Sequence, residues 1–232
     1  MVSPMTRPAP MIVLGSRSPR RRELLEYLVS PERVAVRPPR SHEEPGFEGL
    51  TTLEQIEERL LEIAELKMED VADQLCTGNT EACCLVDDWG AILTADTVIV
   101  ATDWSGQLAV LGQPPEDDAS WQDVVRGWFE RYLLGRPHQA MSAMILQDTQ
   151  GRKLRRTVRT EVTFSADAGR YLDWYLGTGE PRGKAGGYGL QGGGALFVEQ
   201  ITGSPSNVIG LPLRETWDML DELGLGDANV PG

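Results

Sequence analysis

The apolar positions along this chain fall into runs of two periods. Met11 to Leu14 is a short continuous apolar run ending at Gly15, and Ser18-Pro19 supplies a helix cap and a proline suited to a first helical turn. A strand, a tight turn and a helix are predicted there, with Leu24, Leu25 and Leu28 as the apolar stripe and Pro31 limiting the helix. Leu53, Ile56, Leu60, Ile63, Ala64 and Met68 recur at helical spacing behind Thr51 or Thr52, either of which can cap. The β-branched run Ile92 to Val100 reads as a mostly buried strand interrupted by one carboxylate, Asp96. Beyond it, Ala119 to Leu134 is read as a helix, and Met141 to Leu146 and Thr157 to Phe164 as strands around a turn at Thr149 to Gly151. Ala168 to Leu176 follows as a helix, Leu196 to Ile201 as a strand, and Leu213 to Leu223 as a closing amphipathic helix between Pro212 and Gly224. Thr77 to Trp89 is irregular. Interleaved strands and helices predict an α/β fold with a mixed sheet.

Composition narrows the function more than the fold. The 232 residues suffice for one sizeable core, and no low-complexity linker divides them. The expected organisation is a flexible segment at 1–10, one domain at 11–225 and a tail at 226–232. Against 22 Lys and Arg stand 35 Asp and Glu, and the net charge of −13 disfavours nucleic acid or an anionic membrane as partner. A small ligand suits such a surface better. Met1 to Pro10 does not read as a signal peptide, and no stretch approaches the roughly 20 apolar residues that span a bilayer. Cys76, Cys83 and Cys84 form neither a disulfide framework nor a CxxC pair, so a reducing, cytoplasmic location is expected.

Three segments carry chemistry. Gly15-Ser16-Arg17-Ser18-Pro19-Arg20-Arg21-Arg22 places backbone N–H donors, two hydroxyls and several guanidiniums at a helix start, which is anion-binding equipment. The plainer reading is that these arginines splay into water or meet the acids of the next segment, from Glu43 to Asp73. Asp96 is the second: burying it unpaired would cost several kcal/mol, so it needs a metal ion, a basic partner or a cleft, unless it caps a neighbouring turn.

The third is the glycine-dense stretch from Gly177 to Gly192. Gly183-Lys184 suggests a P-loop, but Thr178 stands at its first glycine and Ala185 at its metal-binding hydroxyl. Gly187, Gly189 and Gly192 satisfy GxGxxG, yet the segment runs into the strand-like Ala195 to Ile201 and not into a helix. Kinase, ATPase and dinucleotide-binding readings are rejected. What remains is a flexible connector, or a wall with one charge, Lys184, and one amide, Gln191, able to read a base edge. His42 and His138 lack metal-site spacing and read as structural, and the adjacent Cys83 and Cys84 lack a basic neighbour.

Taken in order, Ser16 to Leu25, Thr94 to Val98, Gly183 to Gly192 and Ser206 to Leu213 resemble the Maf family of nucleoside triphosphate pyrophosphatases, over Ile12 to Leu220. The resemblance implies a twisted mixed sheet flanked by helices, two lobes around a deep cleft, and often a homodimer. It implies cleavage of a nucleoside triphosphate to monophosphate and pyrophosphate with Mg²⁺ or Mn²⁺, hard ions suited to carboxylate and phosphate oxygens. Asp96, Glu44 and Lys67 become the catalytic residues, Asp96 and Glu44 also the metal ligands, and Ser16, Ser18, Arg20 and Lys184 the substrate-binding residues. Arg20, Thr97 and Gln191 match the specificity set of the branch that prefers dTTP and UTP, though modified bases fit the same pocket. One departure stands out: where the family usually has Gly-Lys-Pro, this chain has Gly112-Gln113-Pro114, so a cation near the phosphates is missing unless Arg182 replaces it. Gln113 leaves open an alternative, a nucleotide-binding regulator of cell division with weakened turnover.

Overall fold

The computed structural model describes residues 10–41, 44–76, 89–115 and 120–226. The expectations for His42, Cys83, Cys84 and most of the irregular segment lie outside these residues. One seven-stranded mixed sheet forms the frame. β1 (Met11–Gly15) lies between β2 (Val34–Val36) and β3 (Trp89–Thr102), all three parallel. β4 (Leu108–Leu111) and β5 (Pro137–Asp148) pair antiparallel with β3, β6 (Lys153–Phe164) with β5, and β7 (Val198–Thr202) with β6. The expected α/β architecture is the observed one.

Six α-helices are described. α1 (Pro19–Leu25) begins at the predicted cap, where Ser18 Oγ accepts the Arg21 N–H at 3.4 Å. For α2 (Leu53–Cys76) the cap is Thr52: its Oγ1 accepts the Gln55 N–H at 3.3 Å while Gln55 Oε1 accepts the Thr52 N–H at 3.2 Å, a reciprocal capping box. The α2 stripe, Ile56, Leu60, Ile63, Ala64, Met68 and Val71, is buried against Val13, Ile92, Val98, Val100 and Met141 of the sheet. Each large side chain so buried contributes roughly 1.5–3 kcal/mol. α3 (Trp121–Trp128) continues as a π turn, Phe129–Leu133, and α4 (Leu172–Gly177) follows a 3-10 turn. α5 (Pro205–Ile209) and α6 (Leu213–Glu222) complete the set. No described helix is long and apolar enough to cross a membrane.

On the sheet face away from α2, α1 and α6 cover Ile12, Leu14, Leu93, Ala95 and Met144. Further along that face the core changes to an aromatic cluster of Phe129, Phe164, Tyr175 and Phe197 around Ile99 and Val162. Two cores therefore meet on β3 between Ala95 and Ile99.

The pairing of β3 changes at the same place. β5 accompanies it without a break from Ala91 to Val100. On the other edge β1 pairs only from Trp89 to Thr94, and β4 only from Ile99 to Thr102. Among the described residues that edge has no strand between Thr94 and Ile99, an interval of about 17 Å at 3.3 Å per residue. Both flanking strands end with their carboxyl ends toward this gap, the position where α/β proteins place ligands. The close approach at Gly15 leaves no room for a side chain, since a Cβ there would lie 2.7 Å from Thr94 Cγ2.

β2, β4 and α5 have no counterpart among the predicted elements, and β3, β5 and β6 run longer than predicted. The strand placed at Leu196 begins at Val198, after a 3-10 turn over Gly193–Phe197.

Candidate active site

α2 runs back along β3: Leu53 borders the same cavity as Val100, and further on the Ala64 carbonyl accepts the Thr94 hydroxyl at 2.8 Å. Helical side chains lean toward the helix N-terminus, so Lys67, nearly a turn past Ala64, leans along β3 to Asp96. Its Nζ donates to Asp96 Oδ1 at 2.6 Å and lies 2.8 Å from Glu44 Oε1. Side-chain exposure is 14% for Lys67 and Asp96 and 43% for Glu44, so the acid from the early segment closes the cluster from the solvent side. The three residues expected to be catalytic stand together, and Asp96 has its basic partner.

The other side of the gap is basic. Consecutive residues in a helix are turned by about 100°, so Arg20, Arg21 and Arg22 point three ways. Arg22 pairs with Glu26 at 2.7 Å on the surface, Arg17 donates to the carbonyls of Pro39 and Ser41, and Arg40 meets Asp70 and Asp73 of α2. Arg17 and Arg22 thus stay on the surface, as the plainer reading allows, but the acids of the 43–73 segment are met by Arg40, from outside the helix start. Arg20 turns inward, its Nη2 donating to the Gly183 carbonyl at 3.1 Å.

Arg21 enters the gap itself. Nε donates to the Gly210 carbonyl at 2.9 Å, Nη1 to the Ala95 carbonyl at 2.8 Å and to Ser16 Oγ at 3.3 Å, and Nη2 to Thr97 Oγ1 at 3.1 Å. A strand carbonyl at a broken edge needs a donor, and here a side chain supplies it. Burial, opposed by the charge of Asp96 and reinforced by that of Arg20, holds Arg21 below the usual guanidinium range.

The glycine-dense segment is an ordered loop and not a free connector. Glu180 organises it: Oε2 accepts the Gly193 N–H at 2.6 Å, and Oε1 accepts the Gly194 N–H at 3.2 Å and the Tyr175 O–H at 3.3 Å. The Glu180 carbonyl accepts Lys184 Nζ. Gly186, at φ 66°, donates to the Gly112 carbonyl at 3.0 Å, and a Cβ on it would lie 2.7 Å from Ile99 Cγ1. The loop thus lies directly on β3 and β4, and only glycine fits there. Tyr188 shares a 2.9 Å hydrogen bond with His138 Nε2, tying the loop to β5, and burial lowers His138 to about 4. Lys184 is held below its ordinary pKa by burial first and by the neighbouring Arg20 second.

The remaining predicted residues take different places. Ser16 Oγ accepts the Ser18 N–H at 3.1 Å and an Arg21 donor, and Ser18 caps α1, so both hydroxyls shape the turn that presents the arginines. Thr97 points to the face opposite Asp96, where its hydroxyl shares a 2.8 Å bond with Ser142 and accepts from Arg21. Gln191 and Gln113 are exposed, and Arg182 lies over the Trp121 ring at 5.3 Å. A cavity of about 170 Å³ bordered by Val100, His138 and Glu161 includes none of the Asp96 cluster.

Two contributors, Arg21 and Glu180, carried no assigned role in the sequence reading. Arg21 stood undifferentiated among its neighbours. Glu180 had a signal, a single carboxylate in a stretch of backbone N–H donors with few side chains. A divalent ion fits the acidic side: two carboxylate oxygens already converge on one cation, the Lys67 ammonium. Among the described residues no group of three His, Cys, Asp or Glu converges, so water and phosphate oxygens would have to complete the shell, as magnesium sites commonly do.

Among known proteins, the family described as Maf-like protein matches residues 11–223. The dTTP/UTP pyrophosphatase of Anaeromyxobacter dehalogenans is 36% identical over 221 residues, 93% of this chain and 95% of that protein. Those of Clostridium tetani and Yersinia pestis are 31% and 33% identical, over 92% and 95% of this chain and 97% and 96% of their own lengths. A solved structure of a nucleoside-triphosphatase / dITP/XTP pyrophosphatase from Mycobacterium abscessus aligns with 67% of this chain and 75% of its own, at 16% identity and a TM-score of 0.33, a likeness too slight to argue from. With a match over nearly its whole length and relatives above 30% identity, the chain belongs to the Maf family.

Proposed function

We propose that this chain hydrolyses a nucleoside triphosphate, of the dTTP or UTP class, to the monophosphate and pyrophosphate. One observation carries the reading. Arg20, Arg21 and Lys184 all donate to backbone carbonyls, and none makes an ion pair among the described residues, while across the gap stands the Asp96, Glu44 and Lys67 cluster. Cations held by carbonyl dipoles and not by direct contact with an acid keep donors and charge available, which suits a polyanion, and a facing carboxylate suits activation of water. The names of the relatives support the same reaction.

Lys67 occupies Asp96 Oδ1, so Oδ2 is the oxygen assigned to take a proton as water bonds to the α-phosphorus. The α-phosphorus then releases the bridging oxygen, and pyrophosphate leaves toward Arg20 and Lys184, whose fixed positive charge meets the charge that develops. Asp96 and Glu44 would hold Mg²⁺ or Mn²⁺, which when bound polarises phosphate oxygens as a Lewis acid. Thr97 acts through Arg21, whose guanidinium it helps to hold, and Gln191 on the loop reads the base edge.

The test is product analysis of dTTP and UTP turnover with Mg²⁺ or Mn²⁺, by phosphorus NMR. Monophosphate and pyrophosphate are expected. Orthophosphate and diphosphate would place the cleavage at the γ-phosphate and overturn the reading.

A further inference from the structure

We propose that Lys67 keeps the carboxylate pair closed to free divalent cations, so that metal is taken up with the nucleotide and not before it. The proposal rests on the function above and concerns its order of binding. Lys67 Nζ sits 2.6 Å from Asp96 Oδ1 and 2.8 Å from Glu44 Oε1, so its ammonium stands where a cation bound by both oxygens would stand. Lys67 and Asp96 are each only 14% exposed, so water screens their attraction weakly. A free metal ion must therefore expel an ammonium that already holds both ligands.

The surroundings work against the metal too. Arg21 lies within electrostatic reach of Asp96, Glu44 and Arg20, and Arg20 in turn of Lys184. Two basic side chains, Lys67 and Arg21, thus act on the two carboxylates before substrate arrives, with Arg20 beside Arg21, and an added divalent cation brings two further positive charges. A triphosphate offsets them. Lys67 can then turn to phosphate oxygens, because an ammonium on a flexible four-carbon stem carries three donors and no fixed plane. Arg21 cannot make the same move, since its guanidinium is committed to Gly210, Ala95, Ser16 and Thr97. The exchangeable cation is Lys67.

Mn²⁺ binding to the full chain, followed by electron paramagnetic resonance without nucleotide, tests this directly. Lys67→Met should bind Mn²⁺ at least tenfold more tightly than wild type, and Lys67→Arg, which keeps the charge, should bind as weakly as wild type. Adding Asp96→Asn to Lys67→Met should abolish the gain, locating the ion at the pair. A dUTP analogue with an imido bridge between the α- and β-phosphates should raise Mn²⁺ affinity in wild type. Circular dichroism checks folding, and Lys67→Gln replaces the Met variant if that one does not fold. Equal nucleotide-free affinity in wild type and the uncharged variant overturns the proposal, as does tight Mn²⁺ binding by wild type alone. Product analysis on the same preparations separates the two readings. Cleavage to pyrophosphate with unchanged Mn²⁺ affinity sinks only the role of Lys67, and absence of cleavage with tighter Mn²⁺ binding in Lys67→Met sinks the reaction and leaves the competition standing.

Discussion

The two sides of the β3 gap hold their cations in opposite ways. On the α2 side Lys67 is matched by two carboxylates, one of them well exposed. On the α1 side Arg21 is half-buried among neutral acceptors, two of them carbonyls, one at the broken strand edge. The difference separates a replaceable charge from a fixed one. Removing Lys67 leaves one carboxylate, Glu44, that can relax toward water and another, Asp96, at the open gap, whereas removing Arg21 leaves buried carbonyls with no donor.

The largest effect should come from the acidic side. Asp96→Asn keeps shape and polarity but removes the base, so turnover should fall by at least about a hundredfold. The melting temperature should stay within a few degrees of wild type. Activity within a few-fold of wild type would remove Asp96 from the mechanism.

On the basic side the first loss should be stability. Arg21→Met should cost about 3 kcal/mol, a fall of roughly 10 °C in Tm, for several orphaned buried acceptors. Lys67→Met should cost less, about 2 kcal/mol, because Glu44 can move into solvent and only Asp96 loses a partly buried partner. If Lys67→Met melts below Arg21→Met, the contrast between the two sides is wrong.

A pH titration of stability reaches the support beneath the glycine-rich loop. Burial lowers His138 to about 4 from its ordinary 6.5, so between these values the unfolded chain binds a proton that the folded chain refuses. The associated stability is complete above pH 6.5 and declines as pH falls toward 4, by up to about 1.4 kcal/mol per pH unit. His138→Asn should flatten that slope. An unchanged slope would mean that acid acts elsewhere.

Smaller effects should follow in the loop and at its edge. Glu180→Ala frees the N–H groups of Gly193 and Gly194 and removes a carboxylate charge that acts on Lys184, so KM should rise by about tenfold with less change in kcat. A fall in kcat alone would place Glu180 in the chemistry and not in positioning. Gln113→Lys restores a cation at the end of β4, but an exposed charge is screened, and the gain in turnover should be only about threefold. No gain, with Arg182→Ala also harmless, would deprive Gln113 of catalytic meaning.

How much of this was legible depended on whether a signal was local. Ser18-Pro19 predicted the α1 cap correctly, and the α2 stripe was buried as its spacing required. Ser204-Pro205 carries the same cap and proline, with Ser204 Oγ accepting the Asn207 N–H at 3.3 Å, yet five helical residues are too few for a periodic pattern to draw attention to them. β2 and β4 are equally short. In the site, Asp96 was visible as a carboxylate in an apolar strand, and its need for a basic partner followed from burial. Lys67 was accessible only through the family resemblance, because its meeting with Asp96 depends on how α2 crosses β3. Which arginine would face inward depended on helical phase relative to a sheet not yet built.

The broken edge of β3 also divides its cooperativity. Ladder hydrogen bonds to β1 and to β4 form two sets with no shared member, and between them the guanidinium of Arg21 takes the Ala95 carbonyl in place of backbone pairing. Opening of the β4 hairpin therefore does not require opening of β1, and the two flanks can exchange their amide protons as separate units. The residue that begins the interval's chemistry, Asp96, stays paired to β5 throughout, opposite Ala143. The molecule thus has a seam beside its reactive carboxylate, along which one flank can breathe while the carboxylate keeps its place.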